Sequence, residues 1–427
     1  MNVEDMVLIS VDDHLVEPPN MFEGRLPKKY ADVAPKVVRT DAGDDVWTFA
    51  GAQIPNIGLN AVAGRPREEY GVEPTAFDEM RPGCYDVDER VKDMSAGGVL
   101  ACMCFPSFPG FAGRLFARED RELSLAVLQA YNDWHIDEWC GSHPGRFIPM
   151  AIPAIWDAEA CAAEVRRVAA KGCHSLTFTE NPAALDQPSF HDPYWDPLWR
   201  ALVEEGTILN IHLGSSGRLA VTAPDAPMDV MITLQPMNIC MAAADLVWSR
   251  VFKEFPDLKV ALSEGGTGWI PYFLDRLDRT YDMHHLWTGQ DFGDLMPSDV
   301  FRRHILTCFI ADPIGLAMRD LIGIDNICWE QDYPHSDSSW PTAPEELAVV
   351  ARQFNVPDAD IDKITHENAM RWYRFDPFSI RPKEQSTVGA LRAEVAGHDV
   401  SVQSMEKGRH ERTGVISLGE MAARATA

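Results

Sequence analysis

The sequence has no CxxC pair and no regular spacing among its nine cysteines. An odd, scattered set in a chain of 427 residues is typical of free thiols and not of a disulfide framework. Cys102 and Cys104 share one face of a predicted strand, and we interpret them as buried core thiols. The pattern favours a reducing compartment, so we predict a cytoplasmic protein.

Positive charge is scarce, and so are long apolar runs. The chain has 38 Lys and Arg against 65 Asp and Glu, a formal net charge of -27. A field of that sign repels phosphate backbones and anionic lipids, so we expect neither nucleic acid nor membrane as a partner. The longest apolar stretches, such as 99–105, have the length of strands, and the acidic start leads us to expect no signal peptide. A small-molecule substrate is the remaining partner class.

A Gly-rich phosphate loop is also absent after the first predicted strand, which disfavours a doubly wound open sheet. What recurs instead is a short β-branched run followed by an amphipathic helical pattern, as in parallel strands joined by helices. Eight such runs predict a distorted (β/α)8 TIM barrel of the α/β class. They are Val7–His14, Val99–Pro106, Arg146–Ile155, Cys173–Glu180, Ile208–Gly214, Lys259–Gly265, Ile305–Asp312 and Asn326–Pro334.

The predicted barrel domain spans residues 1–375 and carries a long insertion, 15–84, after the first strand. The insertion is rich in Pro, Gly and Asn, and we expect it to form a pocket wall or an oligomer contact. We interpret residues 376–427 as a C-terminal extension, which forms either an arm on a neighbouring subunit or a partly disordered tail. We therefore expect a homo-oligomer, with a hetero-oligomer as the alternative.

Polar residues stand at the carboxyl ends of the predicted strands, where barrels of this kind place their chemistry. Asp12 and His14 lie on one face of the first strand, about 7 Å apart. His212, Glu264 and Asp332 end later strands. Taken singly, His212 could be a structural histidine, and Glu264 and Asp332 could cap helices. Together they predict a metal site, because a cation removes the cost of burying such groups.

Each of the remaining candidate residues has two interpretations. His174 is a candidate general acid if it points inward, or a histidine buried at the foot of its strand. Glu17, Glu264 and His335 either bind a second ion or hold the metal ligands in place. Imidazole and carboxylate ligands suit a divalent ion, with zinc favoured and manganese or iron as alternatives. Such an ion would activate water, with Asp332 orienting or deprotonating it.

Three segments carry a resemblance to a known family. They are Ser10–Pro18, Phe255–Pro271 and Asp332–Asp337. They resemble the amidohydrolase-related family that includes aminocarboxymuconate-semialdehyde decarboxylase, from about Val7 to Phe375. The resemblance implies a distorted (β/α)8 barrel with a divalent metal at the strand ends. It matches Asp12 and His14 to the first motif, His212 to a barrel histidine and Asp332 to the last-strand aspartate; the family more often has His or Glu at the first of these positions.

Four functions follow from these residues. The leading hypothesis is hydrolysis of an amide, lactone or related carbon in a small organic acid by metal-activated water. The second is non-oxidative decarboxylation of an aromatic or enol-type carboxylate. The third is an oxygen-activating hydroxylase with two iron or manganese ions, or a subunit of one. The fourth is a degenerate barrel that serves a hetero-oligomer as a structural or regulatory subunit.

Overall fold

A computed structural model describes residues 1–55, 57–58, 60–71, 74–405 and 415–417 of the chain. The strands of the barrel are buried along their whole length, as parallel strands covered by helices must be. They are β1 (Ile9–His14), β5 (Ala101–Phe105), β6 (Ser175–Thr179), β7 (Ile208–His212), β8 (Val260–Ser263), β9 (Ile305–Phe309) and β10 (Ile327–Trp329).

These strands form parallel ladders in chain order. β1 pairs with β5, and β6 through β10 form a five-stranded sheet. The predicted third strand, Arg146–Ile155, joins the two ladders only through isolated bridges at Phe147 and Ala151. Pro149 and Pro153 interrupt this segment and have no N–H to donate, which accounts for the missing ladder.

The last strand returns to the first at their carboxyl ends. The Asp332 N–H donates to the carbonyl of Asp12 at 2.9 Å, and the His14 N–H donates to the carbonyl of Tyr333 at 2.7 Å. The predicted order of eight parallel units is therefore present, and the fold is a distorted (β/α)8 barrel as expected. Its geometry brings the ends of β1, β7, β8 and β10 to one edge.

Helices cover the outside of the strands, and several begin at an aspartate whose side chain accepts from the first-turn N–H groups. The helices are α1 (Val87–Gly97), α2 (Arg121–Trp134), α3 (Ala158–Ala169), α4 (Asp196–Glu205), α5 (Met228–Leu234), α6 (Met237–Trp248), α7 (Val251–Glu254), α8 (Ile270–Thr288), α9 (Pro297–His304), α10 (Pro313–Ala317), α11 (Arg319–Ile322), α12 (Ala343–Gln353), α13 (Asp358–Asp362), α14 (Asn368–Tyr373) and α15 (Val388–Glu394).

The insertion after β1 contains its own antiparallel sheet of β2 (Lys36–Arg39), β3 (Asp45–Phe49) and β4 (Ala52–Ile54). Trp47 of this sheet stacks on Phe108 of the loop after β5, with 4.3 Å between ring centroids. The N–H groups of Val62 and Ala63 both donate to the carbonyl of Pro334. The insertion thus packs on the loops that follow β5 and β10, at the carboxyl edge of the barrel.

The C-terminal segment packs on its own chain as far as residue 405. The Val388 N–H donates to the carbonyl of Met6 at 2.8 Å, and Arg392 forms an ion pair with Glu345. The Gln403 N–H donates to the carbonyl of Gly64 in the insertion. Residues 376–405 therefore pack on the barrel of their own chain, with Val388 and Leu391 fully buried. The expectation of an arm on a neighbouring subunit stays a prediction, and most of 406–427 lies outside the described residues.

One helical stretch, Met228–Trp248, is long and apolar enough to cross a membrane when judged by length and composition alone. Core helices of globular proteins pass the same test, and the stretch comprises two helices that meet at Gln235 and Pro236.

Replacing Leu391 with Ala tests whether α15 belongs to the core. Leu391 is fully buried (0% exposed), so Leu391→Ala should lower the free energy of unfolding by about 2–5 kcal/mol. Leu286→Ala is the matched control, because Leu286 is 90% exposed and should change that energy by less than about 0.5 kcal/mol. Urea denaturation followed by circular dichroism measures both, and equal effects would contradict the packing described.

Candidate metal centre

Four buried side chains meet where β1, β7 and β10 end. The Nε2 atoms of His14 and His212 are 3.2 Å apart. His14 Nε2 lies 3.3 Å from Asp332 Oδ1 and 3.6 Å from Asp12 Oδ1, and His212 Nε2 lies 3.6 Å from Asp12 Oδ2. The structure therefore brings together all four residues that the sequence nominated as metal ligands.

Two of the three additional candidates join this cluster. Glu264 Oε2 lies 3.0 Å from His212 Nε2, and His335 Nδ1 lies 3.0 Å from Asp332 Oδ1. The His335 ring also stacks on His14, with 3.8 Å between centroids. We use the name metal cluster for the six residues Asp12, His14, His212, Glu264, Asp332 and His335.

The backbone is strained where it carries two of the carboxylates. Glu264 has φ 58° and Asp332 has φ 56°, in the left-handed region that side chains other than glycine seldom occupy. Such conformations cost on the order of 1–3 kcal/mol each and are typical of functional sites. Here they turn both side chains from the strand ends toward the centre of the barrel edge.

His212 is held in one orientation. Its Nδ1 lies 2.5 Å from the carbonyl oxygen of Leu213, which can only accept, so Nδ1 carries the proton. The lone pair of Nε2 then points into the cluster. A backbone carbonyl on the far nitrogen is the usual arrangement for a histidine that binds a metal ion.

Behind β1, a buried charge pair supports the backbone of His14. Arg90 is completely buried; it donates to the carbonyl of His14 and lies 3.5 Å from Asp13 Oδ2. Asp13 also accepts from the Ser10 hydroxyl at 2.7 Å. Strand alternation places Asp13 on this opposite face, as the sequence predicted, and leaves Asp12 and His14 facing the cluster.

The protein atoms of the cluster leave several acceptors unsatisfied. Both carboxylate oxygens of Asp12 and of Asp332 are buried, and none receives a well-formed hydrogen bond from a described residue. Burial raises the pKa of Asp12 well above its ordinary value, and Glu330, Glu264 and Asp332 raise it further. Carboxylates crowded in this way are stable together when a divalent cation neutralises them. The donor set fits such an ion.

Glu17 does not enter the cluster. Its carboxylate accepts from the N–H groups of Ser107 and Phe108 at 3.0 and 2.7 Å and from the Tyr131 hydroxyl at 3.1 Å. It therefore fastens the loop after β5 to the end of β1. Its assignment to a second metal is not supported by this placement.

His174 lies at the other end of its strand. It precedes β6, and its carbonyl accepts from the N–H of Ile208, the first residue of β7, whereas His212 ends β7. The carboxyl edge and the metal cluster are therefore at the opposite end of the sheet. The role of general acid is not supported for His174, and the structure agrees with the other reading, a histidine at the foot of the strand.

Glu330 is a residue that the sequence reasoning did not nominate. It is buried beside the cluster, where its Oε2 accepts from the Glu264 N–H at 3.2 Å and from the Cys308 thiol at 2.5 Å. Burial raises its pKa well above the ordinary value. It comes directly after β10 and two residues before Asp332, and this place at the end of the last predicted strand was the signal available in the sequence.

Aromatic rings form the wall of the cluster on one side. The centroid of Phe105 lies 4.8 Å from that of His212, and the centroid of Phe111 lies 4.2 Å from it. Phe111 also lies 5.2 Å from His14. The ligand-bearing groups thus face an apolar surface, which lowers the local dielectric and strengthens electrostatic interactions there.

Residues 31–375 match the family model described as amidohydrolase. The chain belongs to this family. The match begins downstream of Asp12 and His14, so the contribution of β1 to the cluster comes from the structure and from the sequence motif. Membership makes the chain a metal-dependent enzyme of the amidohydrolase superfamily, as the resemblance implied, and a divalent metal agrees with both the family and the cluster.

Individual relatives are distant. The enzyme is 24% identical over 306 residues to 2-amino-3-carboxymuconate-6-semialdehyde decarboxylase of Dictyostelium discoideum, covering 70% of this chain and 80% of that protein. An amidohydrolase from Mycobacterium avium subsp. paratuberculosis K-10 has a similar structure, with a TM-score of 0.66, 22% identity, and 86% and 99% of the two chains covered. For 5-carboxyvanillate decarboxylase of Novosphingobium aromaticivorans these values are 0.60, 17%, 88% and 99%.

Removing one imidazole should abolish metal binding. His212→Ala deletes the ligand whose Nε2 is oriented by Leu213, so we expect the purified variant to lose its divalent ion. His174→Ala is the matched control, since His174 lies at the opposite end of the sheet and its loss should leave the metal content unchanged. Elemental analysis and calorimetric titration with Mn²⁺ give the stoichiometry, and we expect one ion per chain in the parent enzyme. Retention of the ion by His212→Ala would contradict the site.

Glu17 should affect stability and not metal content. Burial raises its pKa to about 7 from 4.5, against the backbone and Tyr131 hydrogen bonds that favour the charged form. A pKa that is higher in the folded state stabilises the fold below the unfolded pKa, and this contribution is lost as the pH rises through the folded pKa. Glu17→Gln removes that dependence, so between pH 5 and 8 the parent should lose up to roughly 3 kcal/mol more than the variant.

Urea denaturation at the two pH values measures this difference. Glu23→Gln, at an exposed position in the same insertion, is the matched control and should behave as the parent. Parallel pH profiles for the parent and Glu17→Gln would show that the Glu17 carboxyl is not perturbed as described.

Proposed function

We propose that the enzyme is a metal-dependent, non-oxidative decarboxylase of an aromatic or enol-type carboxylate. The observation that carries this proposal is the combination of the metal cluster with relatives that are themselves named decarboxylases. This was the second hypothesis from the sequence. Hydrolysis, the leading one, uses the same ligands but finds less support among the named relatives.

The cluster residues would hold the cofactor. A divalent cation bound by Asp12, His14, His212 and Asp332 would supply a Lewis acid that binds substrate oxygens and stabilises the negative charge formed as carbon dioxide leaves. The Novosphingobium decarboxylase structure contains manganese, which supports Mn²⁺ beside the zinc that we favoured from ligand type.

The rest of the pocket would position and desolvate the substrate. The rings of Phe105 and Phe111 lie beside His212 and make this side of the centre apolar, which suits a planar aromatic or enol substrate. Excluding water from the substrate carboxylate favours its loss, because the charge becomes spread over the organic fragment in the transition state. His14 and His212 are fully buried, which supports a centre that is shielded from water.

Decarboxylation also needs a proton at the carbon that loses the carboxylate. His335 is the best-placed donor, because its ring stacks on His14 and its Nδ1 faces Asp332. Asp332 would thus both bind the ion and hold the proton-bearing ring in position.

Oxygen activation by two ions is the second candidate. Two groups of three side chains could each hold an ion: Asp12, His14 and His212 form one, and His14, Asp332 and His335 form the other. Because His14 belongs to both and one ring nitrogen binds one ion, two ions at once need a further ligand, for which Glu264 Oε2, 3.0 Å from His212 Nε2, is placed. A metal content of two iron or manganese ions per chain, with oxygen consumed in the presence of a reductant, would favour this reading. In that case His335 is a ligand and not a proton donor.

Deuterium labelling distinguishes these reactions. The Mn²⁺-loaded enzyme, incubated in D₂O with 5-carboxyvanillate and a panel of 2-hydroxybenzoates, should release carbon dioxide and leave one deuterium at the vacated ring carbon. His335→Asn should lower kcat by about 10²–10⁴-fold while the metal content stays at the parent value. His174→Asn is the matched control and should keep full activity. Product that carries oxygen from water, without release of carbon dioxide, would overturn the decarboxylase in favour of hydrolysis.

A further inference from the structure

A basic cleft lies at the amino ends of the strands, away from the metal cluster. It has a volume of about 470 Å³ and is lined by residues that precede β7, β8 and β10 and by α14. We call this the basal cleft and define it by Thr207, Lys259, Arg303, Arg371, Trp372 and Arg374. Such a concentration of cations is unexpected in a chain with a net charge of -27.

Most of these cations have no acidic partner. Among the described residues, no carboxylate oxygen lies within 4.0 Å of the charged groups of Lys259, Arg303 or Arg374. Within the described part of the chain, the carbonyl of Arg303 is the one acceptor of a Lys259 hydrogen bond. Asp257 and Asp325 also line the cleft, but Asp325 lies 4.0 Å from Arg371 and forms a shorter ion pair, at 2.9 Å, with Lys363 outside it. Positive charge in the cleft is therefore largely uncompensated.

The position of Arg374 depends on a glycine. A Cβ at Gly206 would lie 2.3 Å from the Arg374 guanidinium, and Gly206 has φ +62° at the end of α4. Glycine therefore allows the guanidinium to lie directly against the backbone at the wall of the cleft. Any other residue would push Arg374 away from it.

A buried hydroxyl without a partner also lines the cleft. The Thr207 side chain is 2% exposed, and its Oγ1 forms no hydrogen bond with a described residue. A buried hydroxyl left unpaired costs free energy, which a ligand oxygen can remove. The pKa of Lys259 is lowered by burial and then by Arg303, so an anion would also relieve this ammonium group.

The other walls are apolar. Trp372 lies beside the Lys259 ammonium, with 5.7 Å from the nitrogen to the ring centroid, and Leu202 and Ile208 line the cleft as well. The volume falls in the range of small-molecule sites, about 300–1,000 Å³. A ligand of this size can place an anionic group against the cations and an unsaturated group against the indole.

We propose that the basal cleft binds a small aromatic molecule that carries a phosphate group. Phosphate is the chemistry favoured because two arginines and a lysine offer several charge-assisted donors to one tetrahedral dianion. The cleft and the metal cluster occupy opposite ends of the same strands. Lys259 comes just before β8 and Glu264 just after it, about 16 Å apart along the strand. The ligand is therefore distinct from the substrate of the metal centre.

Phenyl phosphate is the probe for this site. Calorimetric titration of the metal-loaded full-length enzyme at low ionic strength should show one binding event per chain. Arg303→Gln and Arg374→Gln should each weaken binding by about tenfold or more, since each removes a charge-assisted donor. Arg279→Gln, which removes the same charge from the exposed side of α8, is the matched control and should change the dissociation constant by less than twofold.

Thr207→Val keeps the shape of the side chain and removes only the hydroxyl, so it tests the cleft even if an arginine variant fails to fold. We expect it to weaken phenyl phosphate binding severalfold and to leave the Mn²⁺ content of the metal cluster unchanged. Absence of binding to the parent enzyme would overturn the proposal. So would equal weakening by Arg279→Gln, or unchanged binding in folded Arg303→Gln and Thr207→Val.

Discussion

One constraint shapes the carboxyl edge: several carboxyl groups that repel one another are buried there beside two imidazoles. Glu264, Glu330 and Asp332 are close enough to raise the pKa of Asp12, and Glu264 and Asp332 also raise that of Glu330. The oxygens of Asp12 and Asp332 receive no well-formed hydrogen bond from the described residues. Burying such charge without a counterion costs several kcal/mol per group. A divalent cation removes this cost, because the carboxylate oxygens bind it and their negative charge is neutralised.

Much of the surrounding structure holds those groups in place. Glu264 and Asp332 occupy left-handed backbone conformations, and the Glu264 N–H is fixed by Glu330. Arg90 and Asp13 support β1 from behind, and Leu213 fixes the tautomer of His212. Strain and buried charge are unfavourable when taken alone, so the fold must be stable enough elsewhere to carry them. The buried strands and the helices around them provide that stability.

The two ends of the barrel carry opposite charge. The carboxyl edge gathers acidic groups and histidines, whereas the basal cleft gathers Lys259, Arg303 and Arg374. The strands between them are buried along their whole length, so each end keeps its own electrostatic environment. The acidic end can therefore bind a metal cation, and the basic end can bind an anion, within one strongly acidic chain.

Local pattern was enough to predict the eight parallel units and the shared face of Asp12 and His14, because strand alternation depends on neighbouring residues alone. The pattern could not predict that Glu264 joins the metal cluster and Glu17 does not, since both are carboxylates next to a strand end. The hydrogen bonds from the backbone of Ser107 and Phe108 decide where Glu17 points. His174, Glu330 and the C-terminal segment were likewise decided by contacts between residues far apart in the chain. The sequence determined the ligand types and the barrel; packing decided which of the candidates meet at one point.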